Sequence, residues 1–249
     1  MKLHTQFVLL ICTMITSISL AQESKILRIG HRGAMGHVSE NTVASIKKAV
    51  DMQCDVIEID VFVVKDGALM VFHDDNLERK TNGKGKIETY TKAELKKLLV
   101  DDQYEIPTLE EIIKTIDKKA ILNIELKGAN TAEPTYKVIQ AFKKKGWTNA
   151  NFIISSFRWN ELEIMHKLDS QIDIAVLTEK EPTAAIEFAK QIKAVAINPY
   201  FKWLNAENVS KIKEANLKIY PWTVNENEDI KQLKELEVDG IITNFPERI

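Results

Sequence analysis

From Ile26 onward, short apolar runs alternate with longer amphipathic stretches at regular intervals. The apolar runs cover residues 26–30, 55–63, 121–127, 151–155, 172–177, 194–198, 218–224 and 240–243, lengths that suit strands. Helical spacing fills the gaps. Within residues 42–52, Val43, Ile46, Ala49 and Val50 fall on one stripe, with Lys47, Lys48 and Asp51 on the other. Residues 108–116, 135–144, 159–168, 182–192, 206–215 and 227–237 behave alike, and Thr108 with Glu111 three positions on is a helix-start signature. Eight strands separated by helices predict a parallel sheet, because each parallel crossover requires a connection of about a helix. Eight is also the number that closes a TIM-type (β/α)8 barrel. The rival, an open doubly wound sheet, is disfavoured because Gly30-His31-Arg32-Gly33 after the first strand is not a glycine-rich phosphate loop. The rhythm breaks once, in a small insertion after the second strand at about residues 66–107. It is expected to hold a hairpin continuation at 69–73, a turn-rich stretch at 82–85 and a short helix at 92–99. Inserts of this length on such scaffolds often carry function.

The first 21 residues read differently. Lys2 supplies a positive start, residues 7–18 are largely apolar, and Ser19-Leu20-Ala21 places small residues where a signal peptidase cuts. A secretory signal over residues 1–21 is therefore expected, leaving a mature domain of residues 22–249 that is exported, either periplasmic or secreted. The apolar run is too short to span a bilayer, which takes about 20 residues, so no integral membrane segment is expected in the mature chain. Cleavage would leave Cys54 as the only cysteine and no intrachain disulfide. Stability must then come from the core, which 45% hydrophobic residues can supply. The 34 Lys and Arg against 36 Asp and Glu give a net charge of -2, with lysines scattered in pairs. That balance argues against nucleic acid as a partner, since phosphate backbones call for a concentrated basic surface.

Alternation along strands shows where chemistry gathers. In the second strand Val56, Glu58, Asp60 and Phe62 share a face, and in the third Asn123, Glu125 and Lys127 do. Neighbouring barrel strands would thus aim three carboxylates and a lysine into one region. Burying such charge uncompensated is costly, and a hard divalent cation, Ca²⁺ or Mg²⁺, solves the problem with oxygen ligands. The alternative is a structural ion-pair network with Lys127 or Arg32. His31 and His73 end two strand-like runs beside this cluster, and imidazoles titrating near pH 6.5 suit proton transfer at neutral pH. Asp74 could orient one of them. His37 lies in a loop and His166 in a polar helix, and neither is given a role. Glu40 and Asn41 are expected to cap the first helix.

The ordered set Gly30-His31-Arg32-Gly33, Glu40-Asn41-Thr42, Glu58-Ile59-Asp60, His73-Asp74, Pro107-Thr108-Leu109-Glu110-Glu111, Glu125-Leu126-Lys127 and Trp222-Thr223-Val224-Asn225 resembles the glycerophosphodiester phosphodiesterase family. Residues 77–81 and 239–246 add further matches, so the resemblance spans essentially the whole mature chain. It implies a TIM-type barrel with an insert after the second strand. It implies one divalent cation held by Glu58, Asp60 and Glu125, His31 and His73 as acid and base, and phosphate contacts from Arg32 and Lys127. The implied reaction is hydrolysis of a small glycerophosphodiester, such as glycerophosphocholine or glycerophosphoethanolamine, to sn-glycerol 3-phosphate and an alcohol. Trp222 is expected either to line the pocket or to join the core. Two departures stand out: Ser39 replaces the family's usual Pro, and the chain ends at Ile249, short of the usual last helix. The rivals are a phospholipase D-like phosphodiesterase acting on another lipid phosphodiester, and a catalytically silent phosphodiester-binding barrel.

Overall fold

The computed structural model describes residues 25–249; the expected signal segment lies outside them. The strands run β1 (Leu27–Gly30), β2 (Val56–Val63), β3 (Leu69–Val71), β4 (Leu99–Val100), β5 (Tyr104–Glu105), β6 (Ile121–Leu126), β7 (Phe152–Ser156), β8 (Asp173–Thr178), β9 (Ala196–Pro199), β10 (Lys218–Ile219) and β11 (Gly240–Thr243). Eight of them pair in parallel in the order β10-β9-β8-β7-β6-β2-β1-β11. Main-chain bonds then bridge the two ends: Ile242 N donates to Pro221 O at 2.9 Å, Val224 N to Ile242 O at 2.9 Å and Asp239 N to Ile219 O at 3.1 Å. The sheet thereby becomes a nearly closed TIM-type barrel.

Helices α1 (Val43–Asp51), α2 (Lys92–Leu95), α3 (Leu109–Ile116), α4 (Ala132–Lys143), α5 (Trp159–Leu168), α6 (Ile186–Gln191), α7 (Ala206–Glu214) and α8 (Asn227–Glu235) follow the pattern of the sequence, with α2 inside the insertion. None is long and apolar enough to cross a membrane. Outward-facing Ile57, Ile59 and Val61 of β2 pack on the helical layer with Ile46, Ile112 and Ile113. Most ends shift by one to three residues, as at α4, which starts at Ala132 and not at 135, and three larger differences have a physical reason or consequence. Residues 218–224 form only the two-residue β10, because Pro221 has no N–H to donate to the ladder. The helix expected over 182–192 opens as a 3-10 turn, Pro182–Ala185, before α6. In the insertion, α2 stops at Leu95, and Leu99 instead enters β4 and donates to Asn82 Oδ1 at 3.1 Å.

The insertion has an apolar centre of its own. Phe62, Val64, Met70, Phe72, Leu77, Ile87, Leu95, Val100 and Ile106 are buried together, while β3 pairs antiparallel with β2. This small layer is therefore anchored beside the carboxylate-bearing strand.

The barrel interior is built in tiers by strand alternation. At the bottom, Ile29, Val56, Ile153, Ala175, Ala196, Tyr220 and Ile242 form one buried apolar cluster. Two residues further along the same strands come His31, Glu58, Ser155, Leu177, Asn198 and Trp222, all lining one cavity. The floor is apolar and packed, and the chemistry begins one step above it, at the C-terminal ends of the strands.

Candidate active site

The cavity encloses about 410 Å³, a volume suited to a small ligand. Its first wall grows from the turn after β1. Gly33 has φ +84°, and a Cβ there would lie 2.6 Å from Ser45 Oγ, so the turn presses on α1 as only glycine allows. Arg32 is also left-handed at φ +49°. This places its amide 2.8 Å from Glu58 Oε2 and its guanidinium 2.7 Å from Glu40 Oε1 and 3.5 Å from Asp60 Oδ2. His31, just before it, pairs through Nδ1 with Asn244 Oδ1 at 2.7 Å. Burial, with the Arg32 charge, lowers His31 to about 4, so the ring is neutral at neutral pH.

Glu58, Asp60 and Glu125 are buried, and one oxygen from each lies within 4.8 Å of the others. Their electrostatics diverge. Burial, reinforced by Asp60 and Glu125, raises Glu58 well above the usual carboxylate range. Burial and Asp60 push Glu125 to about 7, against the pull of Lys127. Asp60 overcomes the same burial through Arg32, His73 and Lys127 and stays below its ordinary value; Asn41 Nδ2 also donates to it at 2.9 Å. A structural ion-pair network would leave all three carboxylates comfortably ionised. Two of them are instead pushed above their ordinary range by burial and mutual repulsion, so the cluster is short of positive charge. Three converging oxygens with that deficit fit a hard divalent cation.

His73 follows β3, with Nδ1 2.6 Å from Asp74 Oδ1 and Nε2 3.0 Å from Lys127 Nζ. An ammonium can only donate, so Nε2 is the acceptor and the ring proton sits on Nδ1, facing Asp74. Burial, with Arg32 and Lys127, lowers the His73 pKa despite Asp60. Lys127 Nζ also donates to Glu125 Oε1 at 3.2 Å.

The structure brings together every side chain singled out in the sequence. His31, Arg32, Glu58, His73, Glu125, Lys127 and Trp222 line the cavity, and Asp60 joins through the carboxylate cluster. Trp222 belongs to the pocket, with its Nε1 donating to Asn198 O at 2.9 Å. Glu40 and Asn41 are a correction. The N-cap of α1 is Thr42, whose hydroxyl accepts from Ser45 N at 3.1 Å. Asn41 turns left-handed at φ +56° toward Asp60, and buried Glu40 neutralises arginines. The reason is that buried Arg32 needs a carboxylate more than the helix needs a second cap.

Arg79 of the insertion is the residue that periodicity missed. Its Nη1 and Nη2 reach Glu40 at 3.0 and 2.6 Å, Nη2 meets Asp74 Oδ1 at 3.1 Å, and Nε also pairs with Asp74. Burial opposes ionisation of Asp74, but Arg79 and His73 hold it down to about 2. The only signal for Arg79 was its place in the 77–81 match. In the tier just above the apolar floor, Asn123 Oδ1, Ser155 Oγ and both polar side-chain atoms of Asn198 lack hydrogen-bond partners.

A barrel with this carboxylate and histidine arrangement defines a class, and comparison with known proteins identifies it. Residues 31–248 match the glycerophosphoryl diester phosphodiesterase family. The glycerophosphodiester phosphodiesterase of Caldanaerobacter subterraneus subsp. tengcongensis is 35% identical over 235 residues, 90% of this chain and 96% of its own. That of Bacillus subtilis is 34% identical, covering 96% and 92%. Among solved structures, an Oleispira antarctica phosphodiesterase in complex with the product sn-glycerol-3-phosphate superposes with a TM-score of 0.82 at 30% identity, over 89% of this chain and 94% of that one. The chain belongs to the glycerophosphoryl diester phosphodiesterase family.

Proposed function

We propose that the cavity hydrolyses glycerophosphodiesters to sn-glycerol 3-phosphate and an alcohol, with His31 and His73 as the proton-transfer pair. The observation that carries this reading is that two imidazoles flank the Arg32, Lys127 and carboxylate cluster in one cavity. Arg32 offers a planar, permanently charged fork and Lys127 a point charge for the phosphate oxygens. One histidine takes a proton from the attacking oxygen as the new P–O bond forms: that of water directly, or that of the glycerol 2-hydroxyl, which gives a cyclic phosphate that water then opens. The other, in its protonated form, gives that proton to the alkoxide whose P–O bond breaks. The unpartnered polar groups of Asn123, Ser155 and Asn198 suit the hydroxyls of a glycerol unit, because an unmet buried polar group is costly.

Glu58, Asp60 and Glu125 are the residues that would hold a divalent cation, either Ca²⁺ or Mg²⁺. Such an ion supplies Lewis-acid stabilisation of charge on a phosphate oxygen. The test is release of glycerol 3-phosphate from glycerophosphocholine, with chelator and then with each ion restored. Release is expected only with metal. A folded sample that releases nothing with either ion would overturn the assignment.

Arg79 touches none of the reacting groups in this scheme and acts as a positioning residue through Asp74 and Glu40. Arg79→Ala is expected to lower kcat about 10- to 100-fold, the usual scale for removing an outer support. Arg79→Lys should not rescue it, because an ammonium cannot span two carboxylates as the guanidinium fork does. A purely structural Arg79 would instead lower Tm and leave kcat of the folded protein intact, which thermal melts beside steady-state kinetics would reveal.

A further inference from the structure

Away from the cavity, positive charge gathers on the flank of the barrel between α3 and α4. α1 packs on α3 and α4 on α5, and between the two pairs runs a groove of about 250 Å³. Its floor is apolar, formed by Val138, Ala141 and Phe142, and its sides carry Lys114, Lys137 and Lys145. All three lysines are exposed, and Lys145 Nζ stands 5.1 Å from the Phe142 centroid. At the lower end Lys118 Nζ lies 5.9 Å from the centroid of Trp147, whose ring meets Phe142 edge to face at 5.8 Å. None of these four ammoniums enters an ion pair among the described residues, whereas Lys143 beside them pairs with Asp169 at 3.3 Å. Lysine groups that are separate in the chain are thus set on one face by the fold. Residues 114–119 and 137–145 hold seven lysines and one acid, Asp117, in a chain whose net charge is -2. The acids of the two helices, Glu110, Glu111 and Glu133, stand in their first turns, toward the mouth. Of these only Glu110 lines the groove.

We propose that this flank docks on a bilayer rich in anionic phospholipid, with the lysine ammoniums among the headgroup phosphates. Charge complementarity carries the proposal. Attraction of basic side chains to an anionic leaflet adds up lysine by lysine and acts within a Debye length, so it rewards a concentrated patch. A chain of net charge -2 gains nothing from such a surface as a whole, so the patch also sets which way the molecule faces. Lysine stems lie along apolar surface while their charges reach outward, and the rings of Phe142 and Trp147 provide that surface. The apolar floor favours a bilayer over a nucleic acid duplex, whose phosphate track has nothing apolar to set against Val138 and Phe142. Lys118 and Lys145 precede β6 and β7, at the N-terminal ends of the strands. The cavity opens at the opposite ends, so docking on this flank leaves the mouth open to water.

The experiment is co-sedimentation of the full chain with vesicles of equal parts phosphatidylglycerol and phosphatidylcholine, beside vesicles of phosphatidylcholine alone. Binding is expected to favour the mixed vesicles strongly and to fall steeply with added salt. Lys114→Gln, Lys137→Gln and Lys145→Gln together should lower the partition coefficient about 100-fold, at about fivefold per charge near an anionic surface. Lys84→Gln, Lys86→Gln and Lys92→Gln together remove the same charge from the insertion and should change it no more than a few-fold. All six side chains are exposed, so both variants keep the fold. Equal losses in the two variants, no loss in the groove variant, or equal binding to both kinds of vesicle overturns the docking face. Full displacement by millimolar inorganic phosphate at constant ionic strength would make the groove a site for free phosphate. Tighter binding to duplex DNA than to the mixed vesicles at equal phosphate would make it a nucleic acid surface, and either result overturns the proposal.

Discussion

His31→Ala lowers kcat/KM for glycerophosphodiester hydrolysis by about 10²- to 10⁴-fold, the scale on which a single positioned acid or base contributes, while fold and metal binding persist. The ring ends β1, tethered by Nδ1 to Asn244, and its neutrality at neutral pH follows from burial and the Arg32 charge. Nothing in the apolar floor depends on it, since the tier below is closed by Ile29 and Ile242. The loss should therefore appear in turnover and not in Tm. Small imidazoles added to the variant should recover part of the rate, a rescue that a scaffolding role would not show. Normal turnover by His31→Ala would remove His31 from the proton-transfer pair.

The same residues show how far the sequence could be read. Period-two alternation in β2 and β6 is enough to predict that Glu58, Asp60, Glu125 and Lys127 converge, because a buried strand has only two faces. β11 and α5 follow the sequence pattern to the residue, each bounded by polar positions. Other features depend on partners distant in the chain. Glu40 reads as a cap until Arg32 and Arg79 are seen to converge on it from opposite sides. Arg79 sits in an irregular insert with no period to mark which way it points. Phe157 and Glu179 line the cavity from just past the strand ends, where alternation continues in space although the ladder has stopped. Pro221 shows the reverse, a strand-like run that a missing donor cuts to two residues.

The metal cluster carries the second large effect, and its sign reverses with conditions. In chelated protein, Glu125→Gln is expected to raise stability at neutral pH. Glu125 is held at about 7 in the folded state against an ordinary 4.5, so between those values the folded protein binds more protons than the unfolded one. Stability from this group is therefore present below about pH 4.5 and is lost as pH rises through about 7. Glutamine does not titrate, so the variant's advantage over wild type grows across that window and then levels off. With Ca²⁺ or Mg²⁺ in 100-fold excess over Kd, the wild type gains about 2.7 kcal/mol, roughly 5–11 °C in Tm for a domain of this size. The variant, lacking a ligand oxygen charge, forfeits most of that gain and becomes the less stable protein. Metal binding must also displace the proton from Glu125, so wild-type affinity should rise with pH through the same window. Melts of both proteins at pH 5 and pH 8, with chelator and with each ion, read all of these signs together. A Glu125→Gln effect that keeps one sign whether or not metal is present would mean that the carboxylates form a self-contained ion-pair network and hold no cation.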